Sequence, residues 1–201
     1  RLLERLGMTF ESFGEKSFWW RGAWDDNMFY SMTAADRRAW RDRPLASPDE
    51  VRLVELTHEN RRDYQRLRTH RSQERFVATV EQSYADALFP DPEKGHPVVP
   101  VLRGIEADGE PVGFLMFADA VNEGTPDPYL WRFLVGRRHQ GRGIAARALQ
   151  MWLEDLRAAG HSAVETSWVQ APGGPEPFYL KAGFSLTGEM DDGEAVARRD
   201  L

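Results

Sequence analysis

The chain contains no cysteine. That excludes disulfides, Cys-ligated zinc and a cysteine nucleophile, and it suits a reducing, cytoplasmic setting. No stretch approaches the roughly 20 apolar residues needed to cross a bilayer, so no membrane partner is expected. Positive charge is also in short supply: 26 Lys and Arg stand against 32 Asp and Glu, a net charge of -6. An acidic chain is a poor binder of nucleic acid, because nothing neutralises a run of phosphates, and it tolerates cationic partners better. His58, His70, His96, His139 and His161 are scattered without HExxH or similar pairing, so no metal site is expected. Neither GxGxxG nor GxxxxGK[ST] occurs, which removes the two common nucleotide-binding folds.

What is present is organised around residues 131–160, WRFLVGRRHQGRGIAARALQMWLEDLRAAG. A continuous apolar run, Tyr129 to Val135, is interrupted only by Arg132 and predicts a central strand. Gly143 to Ala159 carries Ile144, Ala145, Ala148, Leu149, Trp152 and Leu156 at helical spacing, and Gly160 is placed to end that helix. Between them lies Gln140-Gly141-Arg142-Gly143-Ile144-Ala145. Small residues there let a ligand approach the backbone, and the unpaired amides of a first helical turn favour an anion. Arg137, Arg138 and Arg142 add positive charge around the same turn in an otherwise acidic chain, so a diphosphate is a natural ligand. The alternative at this level is a plain glycine turn with solvated arginines.

The remaining pattern predicts a mixed α/β chain. Residues 1–44 hold four of the seven tryptophans. They read as a hairpin, with strands Glu15 to Arg21 and Asn27 to Met32 around a turn at Gly22 to Asp26. A short helix, Ala34 to Trp40, follows and is capped by Thr33. Residues 45–50 read as a linker. A complete domain then runs over 51–201: strand Val51 to Leu56, helices Thr57 to Arg68 and Phe76 to Leu88, and strands Val98 to Glu106 and Val112 to Phe117 around an Asp108-Gly109 turn. After the central strand and long helix come strand Ala163 to Val169, short helix Pro177 to Lys181, and strands Ser185 to Glu189 and Ala195 to Leu201. Pro90 to Pro97 and Asn122 to Pro128 read as loops. Strand pairs with helices between them imply a mixed, mostly antiparallel sheet flanked by helices.

At Gln140, Gly143 and Ala145 the chain resembles the acetyl-CoA site of the GNAT superfamily of N-acetyltransferases, whose signature is Gln or Arg, two residues, Gly, one residue, then Gly or Ala. A second landmark of that superfamily, Tyr-x-x-x-Gly-Phe, is matched by Tyr179, Gly183 and Phe184 in the same order. Arg75 to Phe89, Val112 to Phe117, Arg132 and Thr187 to Leu201 are nearest its diamine and polyamine branch. The resemblance implies that the backbone of Phe133, Leu134 and Val135 pairs with the pantetheine arm of acetyl-CoA, and that a backbone N–H near Leu134 polarises the acetyl carbonyl. It implies that Arg138, Gln140, Gly141, Arg142, Gly143, Ile144 and Ala145 hold the diphosphate. Tyr179, which its neighbours alone would make a core aromatic beside Phe178, becomes the general acid for the departing thiolate. Many relatives carry an Asn before the Tyr helix; Gln170 to Pro175 has none, and Gln170 or the backbone at Gly173 and Gly174 is the expected substitute.

For the acyl acceptor the expectation is a small primary amine, with a polyamine as the leading class. A protein N-terminus, an aminoglycoside-type amine, or acyl-CoA binding without turnover are the alternatives. Glu81 is the candidate base, and Glu189, Asp191, Asp192 and Glu194 form a second acidic group. Trp168 reads either as a wall of the acceptor groove or as core. Leu2 to Trp40 resembles the C-terminal tail of a ribosomal-protein-type GNAT domain. That implies either a tandem protein with a further domain upstream, or an extension that packs on the complete domain or on a second copy in a homodimer.

Overall fold

Strands buried on both faces need helices on both sides, and the longer part of the chain is built that way. A computed structural model describes residues 2–90, 98–120 and 127–201. It divides into two units, Arg1–Pro44 with His70–Ser72, and Leu45–Thr69 with Gln73–Leu201.

The first unit contains α1 (Leu2–Arg5), β1 (Thr9–Trp20), β2 (Ala23–Ser31) and α2 (Ala34–Arg41). The hairpin is longer and its turn tighter than expected. Arg21 and Gly22 take positive φ values, 47° and 85°, the two-residue turn whose twist matches that of paired strands. Trp24 therefore leaves the expected turn and joins β2 opposite Trp19, the rings meeting edge to face at 5.4 Å. Thr33 caps α2 through a reciprocal box with Asp36. Trp40 donates its indole N–H to the Arg5 carbonyl at 3.2 Å and takes His70 against its ring. Buried Glu4 accepts the Ser72 N–H at 3.1 Å.

The second unit is a seven-stranded sheet in the order β3-β4-β5-β6-β7-β9-β8. In chain order its elements are β3 (Val51–Glu55), α3 (Arg61–Gln65), α4 (Val80–Leu88), β4 (Val98–Ala107), β5 (Glu110–Ala120), β6 (Tyr129–Val135), α5 (Ile144–Ala158), β7 (Ala163–Trp168), α6 (Glu176–Lys181), β8 (Ser185–Asp191) and β9 (Glu194–Asp200). Every neighbouring pair is antiparallel except β6 and β7. On one side Leu149, Trp152, Leu153 and Leu156 of α5 pack on Leu115, Leu130, Val164 and Trp168. On the other, Tyr64 of α3 and Val80 of α4 pack on Phe114, Met116 and Leu134. The alternation of Phe114, Leu115 and Met116 between these two clusters is the period-two pattern of a central strand.

Two helices are shorter than expected: α3 spans Arg61–Gln65, and capping sets the start of α4. Thr57 and Asn60 exchange side-chain and backbone bonds, Thr57 N–H to Asn60 Oδ1 at 2.8 Å and Asn60 N–H to Thr57 Oγ1 at 3.4 Å. They close a turn ahead of α3 instead of starting it. Thr79 and Gln82 form a full capping box, so α4 starts at Val80 and Phe76 and Val77 fall outside it. The expected loops at Pro90 to Pro97 and Asn122 to Pro128 lie almost wholly outside the described residues. The segment read as a linker is tied down: Arg142 donates to the Ala46 carbonyl at 2.7 Å, Arg147 to those of Pro48 and Asp49 at 2.6 and 3.0 Å, and Pro48 is buried. No helix among the described residues is long and apolar enough to cross a membrane.

Leu153 is fully buried in the middle of α5. Replacing it with Ala removes packed methyl groups and leaves a cavity, so Leu153→Ala is expected to cost about 2–5 kcal/mol. Urea denaturation followed by circular dichroism measures this.

Candidate active site

The site begins where β6 and β7 stop pairing. They are joined only at Tyr129↔Glu165 and Leu130↔Thr166. At the next residue β6 carries a bulge: Arg132 is opposite Met116 and Leu130 opposite Phe117, so Trp131 is the extra residue. A bulge bends and twists the strand that carries it. Beyond it, β6 keeps β5 on one edge, and Trp131 and Phe133 to Val135 line a cavity of about 470 Å³ on the other. Phe133, Leu134 and Val135 all line that cavity.

The start of α5 closes one end. Gly141 and Gly143 take φ values of 79° and 78°, a left-handed conformation that costs a side chain but not glycine. A Cβ built at either meets nothing within 4 Å, so the space beside the turn is open. Gly143 is the N-cap and supplies no side-chain acceptor. The first-turn amides of α5 are thus left for an outside anion, and Gln140, Gly141, Gly143, Ile144 and Ala145 all line the cavity.

At the inner end stands Tyr179 of α6. It is 7% exposed, stacks on Trp168 at 5.2 Å, and lines the same cavity. Burial pushes its phenol well above the ordinary tyrosine value; a hydrogen bond with Thr166 opposes this, and the charges of Tyr129 and Glu194 add to it. It therefore keeps its proton across the neutral range.

A hydrogen-bond edge, an amide-lined helix start and a buried phenol thus share one cavity. The chain matches the acetyltransferase (GNAT) family over residues 53–184. It belongs to that family. Among solved structures it is similar to an acetyltransferase from Thermus thermophilus, at 21% identity and TM-score 0.59, covering 78% of this chain and 99% of that one. It is similar to RimJ from Mycobacterium smegmatis in complex with CoA-disulfide, at 19% identity and TM-score 0.58, covering 79% and 86%. It is also similar to the PaiA N-acetyltransferase from Thermoplasma acidophilum in complex with coenzyme A, at 12% identity and TM-score 0.53, covering 76% and 99%. No curated protein matches the chain by sequence.

The residues of this GNAT acetyltransferase fit acetyl-CoA. The α5 amides suit its diphosphate, the open edge of β6 suits the amide groups of its pantetheine arm, and Tyr179 suits its sulfur as a proton source. The Gln140 and Arg142 side chains at the turn are engaged within the protein. Gln140 donates to the Val135 carbonyl at 2.8 Å and to Gln73 at 2.9 Å, which holds the turn against the end of β6. Arg142 is 6% exposed and is spent on the Ala46 carbonyl, on Asp108 at 3.6 Å and on His139 Nδ1 at 3.5 Å. Burial, with Arg142 and Arg138 adding and Glu110 opposing, holds His139 below its usual value, so the ring is neutral and Nδ1 can accept. Neither Arg138 nor Arg142 is among the cavity-lining residues.

Other expected positions divide similarly. Glu81 also lies outside the cavity lining, and its carboxylate is paired with Arg68 at 2.9 Å. Trp168 is core, 2% exposed. Gln170 donates to Glu176 at 2.8 Å, as does the Trp168 indole at 3.0 Å, while Gly173 and Gly174 line the cavity. Glu189, Asp191 and Asp192 are exposed, and Glu194 is half-buried. Sequence reasoning missed Thr166, Ser167 and Trp131 as lining residues, and it placed Phe76 and Val77 on a helix. A Thr-Ser pair between Val164 and Trp168 of a buried strand was the available signal.

Gly143→Ala forces a Cβ into a left-handed conformation, a cost of about 1–2 kcal/mol, and tilts the amides of the α5 start. Coenzyme A affinity is expected to fall about tenfold or more, read by titration calorimetry. Arg142→Ala is expected to lower thermal stability more than coenzyme A affinity.

Proposed function

We propose that the chain transfers the acetyl group of acetyl-CoA to the primary amine of a small molecule, with a polyamine as the leading class. The observation that carries this reading is the placement of Tyr179 in one cavity with the α5 amides and the open edge of β6. Those groups meet the needs of a thioester donor: an anion seat, an extended backbone partner and a proton for the leaving sulfur. The net charge of -6 supports a cationic acceptor.

In this reading the β6 backbone near Leu134 polarises the acetyl carbonyl, a donor typically worth about 3 kcal/mol. The α5 amides position the far end of the donor. Tyr179 protonates the thiolate. The likeness of residues 1–44 to the end of a second such domain supports reading the first unit as the tail of a tandem partner. Exposed Trp19, Trp20 and Trp24 suit a surface that packs on more protein.

Two measurements test the proposal. Incubated with acetyl-CoA and a panel of spermidine, an aminoglycoside and a peptide with a free N-terminus, the protein is expected to release free thiol with spermidine. Coenzyme A binding without acceptor-dependent release leaves only a binding module. Tyr179→Phe is expected to lower kcat about 10²–10⁴-fold with coenzyme A affinity unchanged; unchanged turnover makes Tyr179 a packing residue. Because its proton is held more tightly than usual, the rate should show no loss from this group up to about pH 10, the ordinary tyrosine range.

A further inference from the structure

We propose that Ser167 takes the proton of the incoming ammonium and hands its own to Glu194, so that the amine is deprotonated from the face of β7 opposite Tyr179. This rests on the acetyl-transfer reading above. Successive residues of a strand point to opposite faces. Val164 and Trp168 pack with Tyr179 in the α5-side core, and Thr166, two residues from each, shares their face. Ser167 therefore belongs to the other face, yet both Thr166 and Ser167 line the cavity. The gap between β6 and β7 lets one cavity reach both sides of the sheet, with Phe178 and Tyr179 from one side and Val77 and Trp131 from the other.

The hydrogen bonds around Ser167 have a direction. Its Oγ donates to Glu194 Oε2 and lies 2.5 Å from the Tyr129 hydroxyl. A serine hydroxyl has one donor and two acceptor positions. Donation to Glu194 uses the proton, so Tyr129 must be the donor in its contact. One acceptor position remains on a group that lines the cavity, and an ammonium offers three N–H donors. Glu194 is half-buried and its charge is felt at Tyr179, whereas Glu189, Asp191 and Asp192 are exposed on the same turn.

The protons balance. An ammonium gives one proton to Ser167 as Ser167 gives its own to Glu194. The free nitrogen forms a bond to the acetyl carbonyl carbon, the carbon–sulfur bond breaks with its electron pair going to sulfur, and Tyr179 protonates the thiolate. The surplus proton on the new amide nitrogen returns to Tyr179, and Glu194 releases its proton to water. Ser167 touches the amine and is catalytic; Glu194 acts through it.

The test uses the whole chain with spermidine and with an analogue carrying fluorine beside the terminal amine, which makes that amine less basic. Glu194→Gln and Ser167→Ala are each expected to lower kcat for spermidine about 10²-fold. The KM for acetyl-CoA, the coenzyme A affinity by calorimetry and the melting temperature should stay unchanged. The loss should shrink for the fluorinated amine, a far larger fraction of which arrives neutral and needs no acceptor for that first proton. Turnover of spermidine that neither variant alters, or an equal loss with both amines, overturns the relay and leaves acetyl transfer standing. A loss in Glu194→Gln without one in Ser167→Ala overturns the passage through Ser167. No turnover of spermidine by the unmodified chain overturns the substrate reading and the relay with it.

Discussion

Backbone N–H and C=O groups buried in a sheet must find partners, and at Trp131–Val135 the neighbouring strand does not supply them. β6 and β7 pair at Tyr129 and Leu130 and then separate, at the residue where β6 carries its bulge. The cavity exists because of that separation. Its walls are the facing edges of two strands that would otherwise pair, and its open strand edge is the feature a thioester arm can complete. The remaining elements of the second unit hold this gap open and close its ends.

α5 closes one end and at the same time packs a full apolar face into the core. Its C-terminal three-quarters, through Leu149, Trp152, Leu153 and Leu156, anchor it against the sheet. Its N-terminus is thereby fixed at the mouth of the gap with amides outward. Arg142 and Arg147 tie residues 46–49 to the same helix, and Gln140 ties the preceding turn to β6. Core packing and the amide-lined end of the cavity thus share one element. Arg142 and Arg147 near the start of α5 are spent on backbone carbonyls, which leaves the helix start itself as the positive end facing the cavity.

The cavity reaches both faces of the sheet, and this gives it chemical polarity. Thr166 and Tyr179 lie on the α5 side, and Ser167, with Tyr129 and Glu194, on the other. A buried phenol and a serine bonded to a carboxylate are thereby kept apart by one strand. Neighbouring residues of a β-strand are well suited to that separation, since they are close along the chain and point in opposite directions.

Much of this was determined by local sequence. The strand Tyr129–Val135, the helix after Gly143, the Asp108-Gly109 hairpin and the position of Tyr179 follow from hydrophobic period, turn chemistry and motif spacing, which act over a few residues. The starts of α3 and α4 were not read correctly, because Thr57 with Asn60 and Thr79 with Gln82 form reciprocal bonds that cut an apolar pattern short. Tertiary structure alone decided which charges are available: Arg142 and Glu81 are engaged by Asp108 and Arg68, partners 34 and 13 residues away that no local pattern reveals. It also decided that Ser167 meets Glu194 and that a cavity opens beside it. Both depend on where β6 and β7 diverge, and that follows from packing across the whole sheet.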